Sequence, residues 1–333
     1  MELHFSIIVP VYNRPKEIKE LLESIADLDF SDGFEVVIVE DGSPNNAKEI
    51  VAQFSNHLNI KYFYKENTGA GQSRNFGMLN ASGNYFVILD SDCLLPKDYL
   101  NVVKEHLSNK YTDAYGGPDA NHASFSSLQK AIGYAMTSFL TTGGLRGSKK
   151  LREKFQLRSF NMGISKVAFK KTSGFRPVNF GEDIDLTFRL WKAGCTTQFI
   201  EQAFVYHKRR ISWSKFFRQT FNFGAARPIL NKMHPKTAKI TYWFPAFYIF
   251  FIAITITALL FKNGLPLILL IVYFLFIIIH SSILNRSFVV GLQSVIAAKI
   301  MFFGYGLGFL RSQFRKTVLK KPIEEVFPIM FRR

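Results

Sequence analysis

No charged residue lies between Lys239 and Lys262, and none between Lys262 and Arg286. Each stretch is long enough to cross the ~30 Å of hydrocarbon in a bilayer. Inside hydrocarbon a backbone must satisfy its own hydrogen bonds, so both stretches are expected to be helices. Spans are placed at about 240–261 and 265–284, joined at Lys262-Asn263-Gly264. A third stretch, 287–310, is weaker because it holds Lys299 and several glycines, and an interfacial or re-entrant element is expected there. Basic residues flank this region, in Lys208-Arg209-Arg210 before it and in Arg311, Arg315, Lys316, Lys320 and Lys321 after it. The positive-inside rule wants both groups on the cytoplasmic side, which two spans achieve; three spans, the alternative, put the basic tail outside. Just before the spans, Trp213, Phe216, Phe217 and Phe221 share a helical face flanked by Lys215 and Arg218. That pattern suits an interfacial helix, with an ordinary core helix as the competing reading.

The formal charge of +17 is large. Because the basic residues cluster around the apolar stretches, the charge points to a membrane surface. No nucleic-acid-binding motif is present, and nucleic acid is not an expected partner. Cys93 and Cys195 form no CxxC or metal-type spacing, and both are expected to be free thiols in a reducing compartment. The first eleven residues hold Glu2, His4 and only a short apolar run, which does not read as a signal peptide.

The first hundred residues have a different texture. FSIIV (Phe5–Val9), FEVVIV (Phe34–Val39), IKYFY (Ile60–Tyr64) and YFVIL (Tyr85–Leu89) are short apolar runs of the kind buried in a parallel sheet. Helical periods separate them: Ile18, Leu21, Leu22 and Ile25 behind Asn13 and Pro15, a stretch ending near Phe54, and Gly71 to Ala81. Asn13 is expected to cap the first of these. Strand alternating with helix predicts an α/β fold, Rossmann-like, with a mostly parallel sheet covered by helices. From Tyr111 to Phe155 the pattern is less regular. Thr141 to Lys150, rich in Gly and basic residues, is expected to be a surface loop or a lid. A helix is expected over Glu182 to Ala193, stopped by Gly194, and one strand over Gln198 to Tyr206.

Ligands of such sheets bind outside the carboxyl ends of the strands, so the residues following each strand matter most. Asp90-Ser91-Asp92 follows YFVIL. Residues two apart in an extended stretch point the same way, so two carboxylates converge there. A hard divalent cation takes one or two carboxylates plus substrate phosphates, and that is the expected ligand. Asp41 follows FEVVIV and can accept from a base or ribose, or simply form the turn Asp41-Gly42-Ser43. Arg74, beyond Gly69-Ala70-Gly71 at a helix start, can bind a phosphate or pair with Asp90 or Asp92. Glu182-Asp183 opens a helix, as a general base or as acids that favour the helix dipole. His207 is a candidate metal ligand, and Arg209 and Arg210 are candidate contacts for a departing diphosphate.

SIIVPVYNRP, EDGS, a Gly-rich turn with RN, DSD and GED occur in this order over residues 1–210, which resembles the family 2 glycosyltransferases of the GT-A fold. The resemblance implies that Pro10, Tyr12 and Asp41 line the nucleotide, and Arg74 is counted with them as a nucleotide-binding candidate on its position at the helix start. It implies Asp90 on the ribose and Asp92 on Mg²⁺ or Mn²⁺, Asp183 as catalytic base, and Glu182 on the acceptor or sugar. It further implies a nucleoside-diphosphate sugar donor, with UDP the first choice, a single inverting displacement, and a lipid-linked or glycan acceptor in envelope glycan synthesis. The setting it implies is a multi-pass protein of the bacterial inner membrane with its catalytic domain in the cytoplasm. The QxxRW motif of the processive synthases is absent, which favours adding one sugar per encounter. A sugar nucleotidyltransferase and a non-catalytic nucleotide-sugar-binding membrane protein are the alternatives. The expected domains are 1–210 catalytic (1–110 for the nucleotide, 111–210 for the acceptor), 211–239 an interfacial amphipathic linker, 240–310 membrane and 311–333 a basic tail.

Overall fold

A computed structural model of the chain describes residues 2–143, 155–208 and 212–331. They form two compact units, one made of residues 2–122 and 155–208, the other of 123–143 and 212–331.

The first unit begins with β1 (Phe5–Val11), α1 (Pro15–Ala26), β2 (Phe34–Asp41), α2 (Lys48–Ala52), β3 (Asn59–Lys65), α3 (Ala70–Asn80) and β4 (Tyr85–Leu89). All seven residues of β1 and all five of β4 are buried, because helices cover both faces of the sheet. The apolar side of α1 is the predicted one: Ile18, Leu21, Leu22 and Ile25 all lie in the core. Asn13 does not cap α1. It adopts a left-handed backbone, donates its N–H to Ser43 Oγ and accepts from Asn45 N–H, tying the turn after β1 to the turn after β2.

The chain continues through β5 (Cys93–Leu94), α4 (Tyr99–Asn109), β6 (Ala114–Gly116) and β7 (Asp119–Ala120). It enters the second unit for α5 (Ser127–Thr137) and α6 (Phe139–Thr142). It returns to the first for β8 (Asn161–Ser165), α7 (Lys166–Thr172), α8 (Glu182–Lys192), β9 (Thr197–Phe199) and β10 (Val205–His207). The main sheet has the order β3-β2-β1-β4-β8-β6-β9. Its first four strands are parallel, and β8 runs antiparallel to both β4 and β6. The single strand expected over Gln198 to Tyr206 is in fact two strands in different sheets. β9 pairs with β6, the chain turns where Ala203 N–H donates to Ile200, and β10 pairs with β5 and β7. The small sheet β5-β10-β7 sits where β4 ends, and it places His207 directly opposite Cys93.

The second unit also holds α9 (Trp213–Met233), α10 (Phe244–Leu260), α11 (Leu265–Asn285), α12 (Phe288–Thr317) and α13 (Ile323–Val326). The stretch beyond Tyr111 hid α5, which opens with a capping box between Ser126 and Gln129. Three helical segments, Ile240–Leu260, Leu265–Asn285 and Phe288–Thr317, are long and apolar enough to cross a membrane. The third is one unbroken helix of 30 residues, although Lys299 and the glycines suggested an interruption. The glycines have another use. A methyl group on Gly308 would lie 2.1 Å from the Phe221 carbonyl oxygen, and one on Gly224 would lie 2.0 Å from that of Tyr305. The backbones of α9 and α12 therefore touch, as small residues allow between membrane helices. α9 is accordingly packed against its neighbour by Phe216, Thr220 and Gly224 to Leu230, while Phe217 and Arg218 stay exposed.

Candidate active site

The predicted residues that the structure describes lie along the carboxyl edge of the main sheet. Pro10 is buried within β1, and Tyr12, just past its end, is 49% exposed. Asp41 ends β2, and its carboxylate is well engaged. It accepts from Lys65 Nζ at 2.5 Å and from the Thr68 and Gly69 N–H groups at 3.0 and 2.9 Å. These bonds hold the turn that leads into α3, where Gly69 has a φ of 91°.

Arg74, one turn into α3, is buried and lies between two acids from other elements. Its guanidinium donates to Asp90 at 2.6 Å and to Glu182 at 3.2 Å. Asp183, beside Glu182 in the first turn of α8, has an oxygen 3.9 Å from Arg158 Nη1. α8 starts after Gly181, whose φ of 73° suits glycine, and its amino-terminal dipole favours the acids gathered there. Residues Thr68 to Gln72, Arg176 to Asn179 and Glu182 line a small, partly open cleft beside this network.

One guanidinium thus faces more negative charge than it can neutralise. Burial, reinforced by repulsion from Asp183, pushes the Glu182 carboxyl up to about 7, although Arg74 opposes the shift. A carboxyl raised on folding stabilises the fold fully below its unfolded value, and that stability is lost as pH rises through about 7. Glu182→Gln, which mimics the protonated form, is therefore expected to be more stable than the parent at pH 8 by about 1–3 kcal/mol. The gain should vanish at pH 5; denaturant melts at the two pH values check this, and an equal gain at both would refute it.

Asp92 follows Asp90 by two residues and has different partners. It is paired with Arg14, from the turn after β1, and its Oδ1 is 3.3 Å from His207 Nε2. Burial alone would raise its carboxyl, but His207 and then Arg14 hold it well below the usual carboxylate range. The His207 ring stacks on Phe160, with centroids 4.7 Å apart. Asp92, Cys93 and His207 each offer a ligand atom within 4.8 Å of the others. Among the described residues, neither Asp92 Oδ1, which faces His207 Nε2 at 3.3 Å, nor His207 Nδ1, 4.0 Å from Asp119 Oδ2, makes a regular hydrogen bond. A carboxylate and an imidazole left with unused lone pairs fit a divalent cation.

Arg209 and Arg210 lie outside the described residues, as does most of the predicted loop over Thr141 to Lys150. Arg14 and Arg158 were not among the predicted site residues. Arg14 follows β1 just as Asp41 ends β2, so the strand-end rule was sufficient to find it. Arg158 precedes β8, a strand whose partners are distant in sequence, and no local signal marks it.

The sequence model of "Glycosyl transferase family 2" matches residues 6–172, half of the chain. The chain belongs to this family. Among family 2 relatives, a poly(ribitol-phosphate) beta-N-acetylglucosaminyltransferase, TarS, of Staphylococcus aureus is 37% identical over 114 residues, covering 33% of this chain and 20% of that protein. Chondroitin synthase of Escherichia coli is 29% identical over 237 residues, covering 61% of this chain and 34% of that protein. The chain thus matches about a third or less of the length of these curated relatives. A solved mannosyltransferase from Pyrobaculum calidifontis, in complex with GDP-Man and Mn²⁺, has a TM-score of 0.62 at 17% identity, covering 93% of this chain and 88% of that one. That likeness bears out the GT-A-like fold expected of a family 2 member.

Proposed function

We propose that this chain is an inverting, metal-dependent glycosyltransferase that moves one sugar per encounter from a nucleoside-diphosphate sugar to a membrane-associated acceptor in glycan synthesis. The observation that carries the proposal is the gathering of Asp90, Glu182 and Asp183 around Arg74 and Arg158, beside an Asp92–His207 pair with unused ligand atoms.

In this reading Tyr12 and Asp90 contact the nucleoside, and Asp41 orders the turn that flanks it. Asp92 and His207, with Cys93 adjacent, would hold Mg²⁺ or Mn²⁺. When bound, such an ion would neutralise charge on the diphosphate and so make it a better leaving group. Asp183 takes the proton from the acceptor hydroxyl. The hydroxyl oxygen forms a bond to the anomeric carbon on the face opposite the diphosphate. The bond from that carbon to the diphosphate oxygen breaks, and the nucleoside diphosphate leaves with the electron pair. Arg14, next to Asp92, supplies positive charge on the leaving side. Glu182 lines the cleft and orients the sugar or acceptor.

The setting proposed is the cytoplasmic face of a bacterial inner membrane, with α10 and α11 as the spans. α12, the third helix long enough to cross, packs along α9 in the same direction, with Gly304 near Phe217 and Gly308 near Phe221 and Ala225; counting it as a third span is the alternative, which would put the basic tail on the opposite side. Two spans return the chain to the side it left, where the positive-inside rule wants the basic tail.

The test uses purified full-length protein, Mn²⁺ and a panel of nucleotide sugars, with UDP-sugars first. One donor is expected to release its nucleoside diphosphate, EDTA to stop the release, and excess Mn²⁺ to restore it. Release unaffected by EDTA, or pyrophosphate released from a nucleoside triphosphate instead, would overturn the proposal.

A further inference from the structure

Among the described residues, the second unit contains a buried cation with no counter-charge. Arg227, near the end of α9, is 8% exposed. Its Nε and Nη1 are buried without a hydrogen-bond partner, and its guanidinium carbon lies 4.2 Å from the centroid of the Tyr242 ring. A ring face offsets part of a cation's desolvation, but it does not answer the N–H donors of Nε and Nη1. Acids are almost missing from this unit: after Glu201 the sequence holds only Glu324 and Glu325, and Glu325 is 3.6 Å from Lys321. A buried charge without a partner is costly enough that proteins retain one chiefly where a ligand supplies the other half.

The surroundings are polar in the same unsatisfied way. Asn231, one turn along α9 from Arg227, has a buried carbonyl oxygen without a hydrogen bond. The hydroxyls of Thr241, next to Tyr242, and of Ser312 on α12 are likewise buried and unpartnered. Lys316 reaches into the same region, its Nζ 3.4 Å from the Pro228 carbonyl oxygen. Depth along the membrane helices is given by the aromatic residues. Tyr242 and Trp243 stand just before α10, and Trp243 packs on Phe309 with centroids 4.8 Å apart. Beyond Phe309 and Leu310, α12 turns basic with Arg311, Arg315 and Lys316. Trp and Tyr before a span, and basic residues where an apolar helix ends, mark the headgroup level of a bilayer. The anion concentrated at that level is lipid phosphate.

We infer that the Arg227 guanidinium, held over the Tyr242 ring, receives the phosphate of a lipid headgroup, with Asn231, Ser312 and Lys316 completing the site. The inference is independent of the reading of the catalytic unit. Arg227 and Lys316 answer the phosphate oxygens, Ser312 can donate its hydroxyl, and the acyl chains remain in the bilayer.

The experiment follows binding to the detergent-solubilised full-length protein by native mass spectrometry and thermal melting. The probes are phosphatidic acid, phosphatidylcholine with the same acyl chains, and inorganic phosphate. The parent protein is expected to bind phosphatidic acid about tenfold more tightly than phosphatidylcholine and to melt at a higher temperature with it. Arg227→Gln should lose the preference, and Arg218→Gln, on the exposed part of α9, should keep it. If Arg227→Gln does not fold, Arg227→Lys replaces it, and a reduced preference is expected because the forked geometry is lost. Equal binding of the two lipids by the parent protein, or an unchanged preference in the Arg227 variant, would overturn the inference. Inorganic phosphate protecting as well as phosphatidic acid would make this a free-anion site and overturn the lipid assignment.

Discussion

Asp183→Asn is expected to lower kcat by about two to four orders of magnitude, the range that general-base catalysis contributes. Asn keeps the shape of the side chain and can still accept the Ile184 N–H, which Asp183 takes at 2.7 Å. It cannot take a proton from a hydroxyl. The weak pairing with Arg158, at 3.9 Å, is the only ion pair given up among the described residues, so the fold should hold. Donor binding should survive as well, because Asp183 acts on the acceptor. The informative result is a split: calorimetry showing near-parental affinity for the donor, and turnover that is close to absent. A variant with full turnover would remove Asp183 from the mechanism and leave it as an acid that favours the α8 dipole.

Asp92→Asn should act on the other half of the reaction. Asp92 is the point where Arg14 and His207 meet, and together they hold its carboxyl well below the usual carboxylate range. An amide cannot neutralise either partner, and it is a poor ligand for a divalent cation. Turnover is expected to fall by about a thousandfold or more, comparable to the loss of a major electrostatic contributor, and Mn²⁺-dependent binding of the nucleotide should disappear. The fold should suffer too, by about 3 kcal/mol, because Arg14 is left without its partner in a partly buried place. The sign of the pH effect distinguishes this from the Glu182 case. A depressed carboxyl stabilises the fold above its unfolded value and loses that contribution as pH falls, so the penalty for Asp92→Asn should shrink in acid. Undiminished Mn²⁺-dependent nucleotide binding by Asp92→Asn would place the cation elsewhere.

Much of the first unit was legible because its information is local. Seven consecutive buried residues in β1 and five in β4 have no reading other than covered strands, and the acids that follow them fall at the sheet edge by topology alone. Contacts made across long sequence distances were not legible. Arg74 meets Glu182 across 108 positions, and nothing near either residue announces the other. β8 runs against its neighbours, and the stretch before it carries Arg158 to Asp183. α5 was missed for a different reason. Its Ser126–Gln129 capping box was present in the sequence, but the helix is short and apolar on several sides, so its period is weak. In the membrane helices, hydropathy registered the apolar residues and treated the glycines of α12 as interruptions. Their role depends on a facing helix that a one-dimensional reading does not contain.

The seam between α9 and α12 has a consequence for genetics. Where two main chains lie against each other with no side chain between them, even one added methyl group must push them apart. Loss-of-activity alleles should therefore gather at Gly224, Gly304 and Gly308 as well as at the acids, although none of these glycines has a group that could touch a sugar. An investigator mapping such alleles would meet a second hot region, set by how the anchor is assembled.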